Sequence, residues 1–226
     1  MTKTNQQKVK DFLINNGVII VMFILVIYTG FTSDNFFTKN NFMNILMNMS
    51  SRLVIALGIA GCVITAGCDL SAGRMIGFGA CISGMLLQRM DYSGKFFPDM
   101  QPLNVFVVAL IAMLVCAAFG TVTGFFIAYL NVPPFIATLA MMEIVYGIGL
   151  IVTNATPLGG YVEQYTNVSN GKFLGINYLI WIAIIVAAIT WFIFNMTRHG
   201  KYMYAIGGNP QAAEVAGVPV KLTLIL

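Results

Sequence analysis

Charge is what this sequence has least of. Only 9% of its 226 residues are Asp, Glu, Lys or Arg, against about 25% in a soluble globular domain, while 58% are hydrophobic and the mean hydropathy is +0.84. A water-soluble fold could not cover that much apolar surface. Basic residues exceed acidic ones only by 12 to 8, and no run of Lys or Arg is long enough to track a phosphate backbone, so nucleic acid is not expected as a partner. Histidine is reduced to His199, and H-E-x-x-H and G-x-S-x-G patterns are absent, which leaves no catalytic residue to name. No G-x-x-x-x-G-K-[ST] phosphate loop occurs, so the chain is not expected to hydrolyse ATP by itself. Cys62, Cys68, Cys81 and Cys116 form no C-x-x-C pair and lie in or beside apolar segments. They read as small packing residues, and no metal or other cofactor is expected.

What fills the chain instead is one apolar run after another. At about 20 residues per crossing, its length allows about six or seven spanning helices with short loops, in a single membrane domain over residues 1–226. Apolar runs place spans at Gly17 to Gly30, Leu103 to Leu130, Pro134 to Thr153 and Tyr178 to Asn195. Lys3, Lys8 and Lys10 precede the first as they would a signal peptide, but no small-x-small cleavage site follows, so it reads as an uncleaved span. Between Leu53 and Gln88, two apolar stretches of about 14 residues flank the polar insert Cys68 to Arg74, and each would reach about 21 Å against a hydrocarbon core of about 30 Å. They are expected to be two short helices, or a broken pair lining a cavity, where non-helical backbone survives at membrane depth. With the Lys-rich N-terminus in the cytoplasm, Arg198 to Lys221 falls on the same side, while Lys39 and Arg52 fall in outside loops. Leu222 to Leu226 begins another apolar stretch, and the sequence reads as truncated inside a further span.

Two acidic residues stand in or beside the spans, and in hydrocarbon each costs about 2.5 kcal/mol or more, so each needs a partner or a wet cavity. Asp69 can cap the next helix, pair with Arg74, or line a pathway. Glu143, mid-span, is either a hydrogen-bonded carboxyl holding helices together or a pathway residue. Asn131-Val132-Pro133-Pro134 reads as the turn between two spans. Gly73/Gly77 and Gly120/Gly124 have the spacing that lets helix backbones approach. In the Arg198 to Lys221 segment, Gly207-Gly208-Asn209-Pro210 supplies a turn, an N-cap and a first-turn proline; about two helical turns follow before Gly217 ends them. That helix, with Ala212, Ala213 and Glu214 as its outward surface, is too weakly apolar to enter lipid and smooth enough to dock on another protein.

Thr65-Ala66-Gly67-Cys68-Asp69-Leu70-Ser71-Ala72-Gly73-Arg74, preceded by Ile55 to Gly61, resembles the T-x-G-x-D-L-S-x-G signature of monosaccharide permeases of the ABC importer superfamily. Tyr204 to Val218 resembles the same family, and Leu86-Leu87-Gln88, Phe97-Pro98, Ile127 to Val132 and Pro134 to Leu139 resemble its galactose/methyl-galactoside branch. The resemblance implies an all-α polytopic membrane protein, a multi-span helical bundle of the type II ABC importer permease kind, in the bacterial inner membrane. It also implies a homodimer, a sugar-type ABC ATPase with two fused nucleotide-binding halves, and an extracytoplasmic sugar-binding protein. On this basis Thr65, Asp69, Ser71, Arg74, Asn131, Thr138 and Glu143 are candidates for the substrate pathway. Gly208, Asn209, Pro210, Ala212, Ala213, Glu214 and Gly217 are candidates for the helix that couples to the ATPase. A permease for ribose, xylose or another small solute, and an ion-coupled carrier using Asp69 and Glu143, are the alternative readings.

Overall fold

The computed structural model describes residues 5–33 and 35–225. It forms two units, Met1–Asn48 and Met49–Leu226, with the boundary inside a helix. The first unit holds α1 (Asn5–Thr32) and the start of α2 (Lys39–Ile64). Along α1, Val18, Val21 to Ile27 and Tyr28 are exposed, as suits a helix whose solvent is lipid. The Thr38 hydroxyl accepts the Asn41 N–H at 3.3 Å, and the Asn41 amide donates to Phe36 O at 2.8 Å, which fixes where α2 begins.

The second unit is built on α3 (Ala72–Leu86), α4 (Val105–Leu130) and α5 (Pro134–Thr153). Phe78 and Ile82 of α3 pack with Met141 and Val145 of α5, flanked by Ile111, Ala112, Val115 and Phe119 of α4. The Phe78 and Phe119 rings meet edge to face at 5.6 Å, worth about 0.5–1.5 kcal/mol beyond their buried area. Next come α6 (Glu163–Asn170), a two-stranded hairpin β1 (Lys172–Phe173) and β2 (Ile176–Asn177), α7 (Tyr178–Met196), α8 (Arg198–Gly208), α9 (Pro210–Val215) and α10 (Val220–Ile225). Of the glycines spaced for packing, Gly124 is used: α10 lies so close that a Cβ there would sit 2.9 Å from Ile225 Cα. Gly73, Gly77 and Gly120 face open space.

Among the described residues, α2, α4, α5 and α7 are long and apolar enough to cross a membrane, and Asn16–Thr32 and α3 are shorter apolar helices. The expected bounds of α4, α5 and α7 hold to within two residues. The first apolar stretch before the polar insert does not: it belongs to α2, a 26-residue helix that begins at Lys39 and is long enough to cross on its own. Lys39 and Arg52 therefore lie on this helix and not in loops. Asn40, Asn41, Asn44, Asn48 and Arg52 interrupt the hydropathy of its first half, yet none removes a backbone donor as proline would, so the helix runs through them. The stretch after the insert, α3, is short as expected, at 15 residues.

Two ends of the second unit can be told apart. At one, Leu87 and Gln88 are almost fully buried, the Gln88 amide donates to Gly159 O at 3.0 Å, its oxygen accepts the Phe96 N–H at 2.7 Å, and a backbone bridge joins Gln88 to Tyr161. This ties the end of α3 to the loops before α4 and after α5. At the other end, the C-terminus of α2 meets the N-terminus of α5, with Gly67 3.9 Å from Pro134 measured from a built Cβ.

Candidate functional site

The polar insert begins where α2 stops. Gly67 N–H donates to Cys62 O at 2.8 Å and Ala66 N–H to Val63 O at 3.1 Å, the paired reversed bonds of a helix C-terminus, with Ala66 at φ 59° where glycine is usual. The Thr65 hydroxyl donates back to Cys62 O at 3.0 Å and to Gly61 O at 3.3 Å, so it closes the helix. Asp69 turns the chain just before the next one. Its Oδ1 accepts the Ser71 N–H at 2.8 Å and the Ser71 hydroxyl at 2.6 Å, and Ser71 is buried. Among the described residues no Asp69–Arg74 ion pair forms, and Asp69 does not cap α3. The N-cap position is Ser71, without a side-chain cap bond, and Asp69 lies two residues too early, so it closes an Asx turn onto Ser71 instead. The 20 residues of α5 span about 30 Å and the 15 of α3 about 22 Å, so α3 is about 8 Å the shorter.

Further along α3, the exposed Arg74 guanidinium lies over the Tyr146 ring of α5, 4.0 Å from its centroid. A cation–π contact of this kind is worth about 0.5–2 kcal/mol. Glu143 is one turn before Tyr146 on α5, exposed on the side away from Met141 and Val145, and makes no hydrogen bond or ion pair among the described residues. It does not hold the helices of this chain together. Counting from Pro134, Glu143 is about 14 Å and Tyr146 about 18 Å along the helix, the middle of a core of about 30 Å. Charged groups at that depth face water or a polar partner, not lipid. Asn131 caps α4 with φ 52° and takes its turn role, and buried Thr138 donates to Pro134 O at 2.8 Å within its own helix. The structure thus brings Arg74 to α5 beside the Glu143 turn and leaves Asn131 and Thr138 in local backbone roles.

The second motif is organised by its caps. Gly207 and Gly208 are not a turn: they are the last residues of α8. Asn209 Oδ1 then accepts the N–H of Gln211 and of Ala212, each at 3.0 Å, and Pro210 occupies the first helical position. At the far end Gly217, at φ 83°, allows Gly217 N–H to reach Glu214 O at 2.9 Å and Val218 N–H to reach Ala213 O at 3.0 Å. The expected outward trio is split. Ala212 and Glu214 are exposed, but Ala213 is only 4% exposed, on the side of α9 that packs against α8 and α10. The open face is Gln211, Ala212, Glu214 and Val215, the last 91% exposed.

The family model described as branched-chain amino acid transport system / permease component matches residues 41–226. The chain belongs to this permease family. It is similar to the galactose/methyl galactoside import permease protein MglC of Escherichia coli (strain K12), 40% identical over 233 residues that cover 100% of this chain and 69% of that protein. It is equally similar to MglC of Haemophilus influenzae, 40% identical over 232 residues with the same coverage. The ribose import permease protein RbsC of Escherichia coli (strain K12) is 31% identical over 221 residues, 96% of this chain and 65% of that protein. No solved structure matches the chain significantly. The fold agrees with a polytopic all-α membrane permease. Sequence reading missed Tyr146 and Gly207. The first could have been found as the aromatic one turn from Glu143; the second, inside a stretch read as a turn, carries no local signal of its distant contact.

Proposed function

We propose that this chain is the membrane-spanning permease subunit of an ATP-driven importer for galactose-type monosaccharides. In this reading α9 is the coupling helix, its partner a sugar-type ABC ATPase in the cytoplasm, and an extracytoplasmic binding protein delivers the sugar. The observation that carries the reading is α9 itself, a six-residue helix capped at both ends whose outer face, with Val215 at 91% exposure, is uncovered. An isolated helix of that length does not persist in water, so two caps and a buried Ala213 spent on presenting it are best explained by a docking role. The N-terminus and α9 then share the cytoplasmic side. A second permease copy completes the pathway, with Thr65, Asp69, Ser71, Arg74 and Glu143 toward its wet interior and Asn131 and Thr138 shaping the α4–α5 turn beside it. Hydrolysis of ATP belongs to the partner. The similarity to the galactose/methyl galactoside permeases, above that to the ribose permease, favours the galactoside class.

The test is a bulky residue on the open face. In the full-length permease, Val215→Trp should leave membrane abundance unchanged, because the side chain points into free space, and should abolish co-purification of the ATPase and sugar uptake. Normal ATPase association together with normal uptake would show that α9 is not the docking element. The unpaired, mid-depth Glu143 is the one observation that favours an ion-coupled carrier instead. Uptake that survives loss of ATP but collapses when the proton or sodium gradient is removed would establish that second reading.

A further inference from the structure

The two segments singled out above are far apart in sequence, but they touch. On α8, Met203 and Gly207 are one turn apart and share a face, and both are turned to the C-terminus of α2. Met203 is 5% exposed, and its Cε would lie 3.0 Å from a Cβ built on Gly61. A Cβ built on Gly207 would overlap the Ile64 carbonyl oxygen, with Thr65 Cα 3.6 Å away. Ile206, the residue before Gly207, is 1% exposed. The end of α8 therefore rests on bare backbone at the last turn of α2, the turn from which the Thr65 to Ser71 break departs.

Nothing slack separates this contact from α9. Asn209 alone joins the two helices, its N–H donating to Ala205 O at 3.1 Å and its carbonyl accepting from Ala213 N at 3.0 Å. The link from Gly207 to α9 is thus short and hydrogen-bonded to both helices. On the other side of the contact the backbone is irregular from Thr65 to Leu70 and carries Ala66 in the left-handed region, at a cost of about 1 kcal/mol. Strain of this kind persists only where surrounding contacts hold it, and it clusters at switch regions, so a change in the contact made by α8 bears on it directly.

We propose that Gly207 is a positioning residue of the transport cycle: the absence of its side chain lets α8 press directly on Ile64 and Thr65, so that movement of α9 shifts the membrane-embedded break. The inference rests on the coupling role of α9 proposed above. It acts through main-chain contact, so it requires glycine at 207 and is indifferent to the exposed face of α9. Adding one methyl group at 207 should hold α8 off α2 and weaken transmission while leaving the ATPase docked.

The experiment uses the full-length permease co-purified with its ATPase and reconstituted with the sugar-binding protein in liposomes. It measures permease abundance, ATPase recovery, and galactose taken up per ATP hydrolysed. Gly207→Ala should retain ATPase recovery and hydrolysis and lose about tenfold in uptake per ATP, a size typical of coupling between sites. Gly58→Ala, on the same helix α2 but facing open space, should match the parent. Gly61→Ala, which presses only on the flexible end of Met203, should give a smaller loss at normal abundance and decides the matter if Gly207→Ala fails to accumulate. Parental uptake per ATP in Gly207→Ala, or in Gly61→Ala where the first variant is lost, would overturn the proposal. A parent permease that recovers no ATPase would instead refute the coupling role of α9, so the two failures are distinct.

Discussion

Replacing Asn209 by Ala should loosen α9 without touching any span. Asn209 Oδ1 accepts from Gln211 N–H and Ala212 N–H, both at 3.0 Å, and its main-chain carbonyl accepts from Ala213 N–H at 3.0 Å. Alanine keeps the third bond and removes the first two. Gln211 and Ala212 are exposed, so water replaces the lost acceptor and the cost is that of an N-cap, about 1 kcal/mol, below the penalty for a buried unpaired donor. An energy of that size raises the open population roughly fivefold. Hydrogen exchange on the full-length permease in lipid nanodiscs reads this directly. The amides of Ala213, Ala216, Gly217 and Val218, which close α9 onto Asn209, Ala212, Glu214 and Ala213 carbonyls, should exchange about fivefold faster in Asn209→Ala. Those of α4 and α5 should keep their rates. Asn209→Asp should exchange as slowly as the parent, because its carboxylate accepts the same bonds and is favoured at a helix N-terminus. Parental exchange in Asn209→Ala, or equal acceleration in Asn209→Asp, would refute the capping argument.

Gln88→Ala leaves Gly159 O and Phe96 N–H without their buried partner, at a combined cost of about 2–4 kcal/mol, and should lower the Tm of the detergent-purified permease by about 5–10 °C. A Tm within a degree of the parent would mean that the loops before α4 and after α5 are not held by this side chain. Ala66→Gly removes the left-handed strain at φ 59° and should raise the Tm by about 2 °C, measured in the same scan. A fall would show that the backbone of the break is held by contacts of the alanine methyl group.

The spans that could be read from sequence are those in which lipid is the solvent on most sides. In α4, α5 and α7, apolar runs end at Asn131, Asn154 and Thr197, residues that cap or follow the helices, so composition and punctuation agree. For α2 they conflict: four asparagines and an arginine spread along its first half resemble a loop in any hydropathy window, while the backbone remains free to stay helical. The Asx turn at Asp69 and the cap at Asn209 are local chemistry, and of the two only the cap was read correctly, from Asn-Pro. The face of α9 was not legible, because Ala212, Ala213 and Ala216 offer no contrast from which to tell the buried side. Nor was the pairing of Arg74 with Tyr146, or of Gly207 with Ile64, since each joins residues on different helices whose register is set by packing alone.

The difference in length between α2 and α3 bears on the proposed function of these contacts. Had both been short, as their apolar stretches imply, the polar insert would be an isolated re-entrant turn with neither end near α8. Instead α2 runs on as a 26-residue helix whose end comes close to Pro134 and to Gly207, while α3 has only 15 residues. The chain joins the two as irregular backbone between Thr65 and Ser71. One end of that backbone therefore lies against the helix that leads to α9. The other leads into α3, which three residues later places Arg74 over Tyr146, about halfway along α5. On the coupling role proposed for α9, a push there reaches backbone whose far end leads straight to Arg74 and Tyr146, a connection that an isolated re-entrant turn would not make.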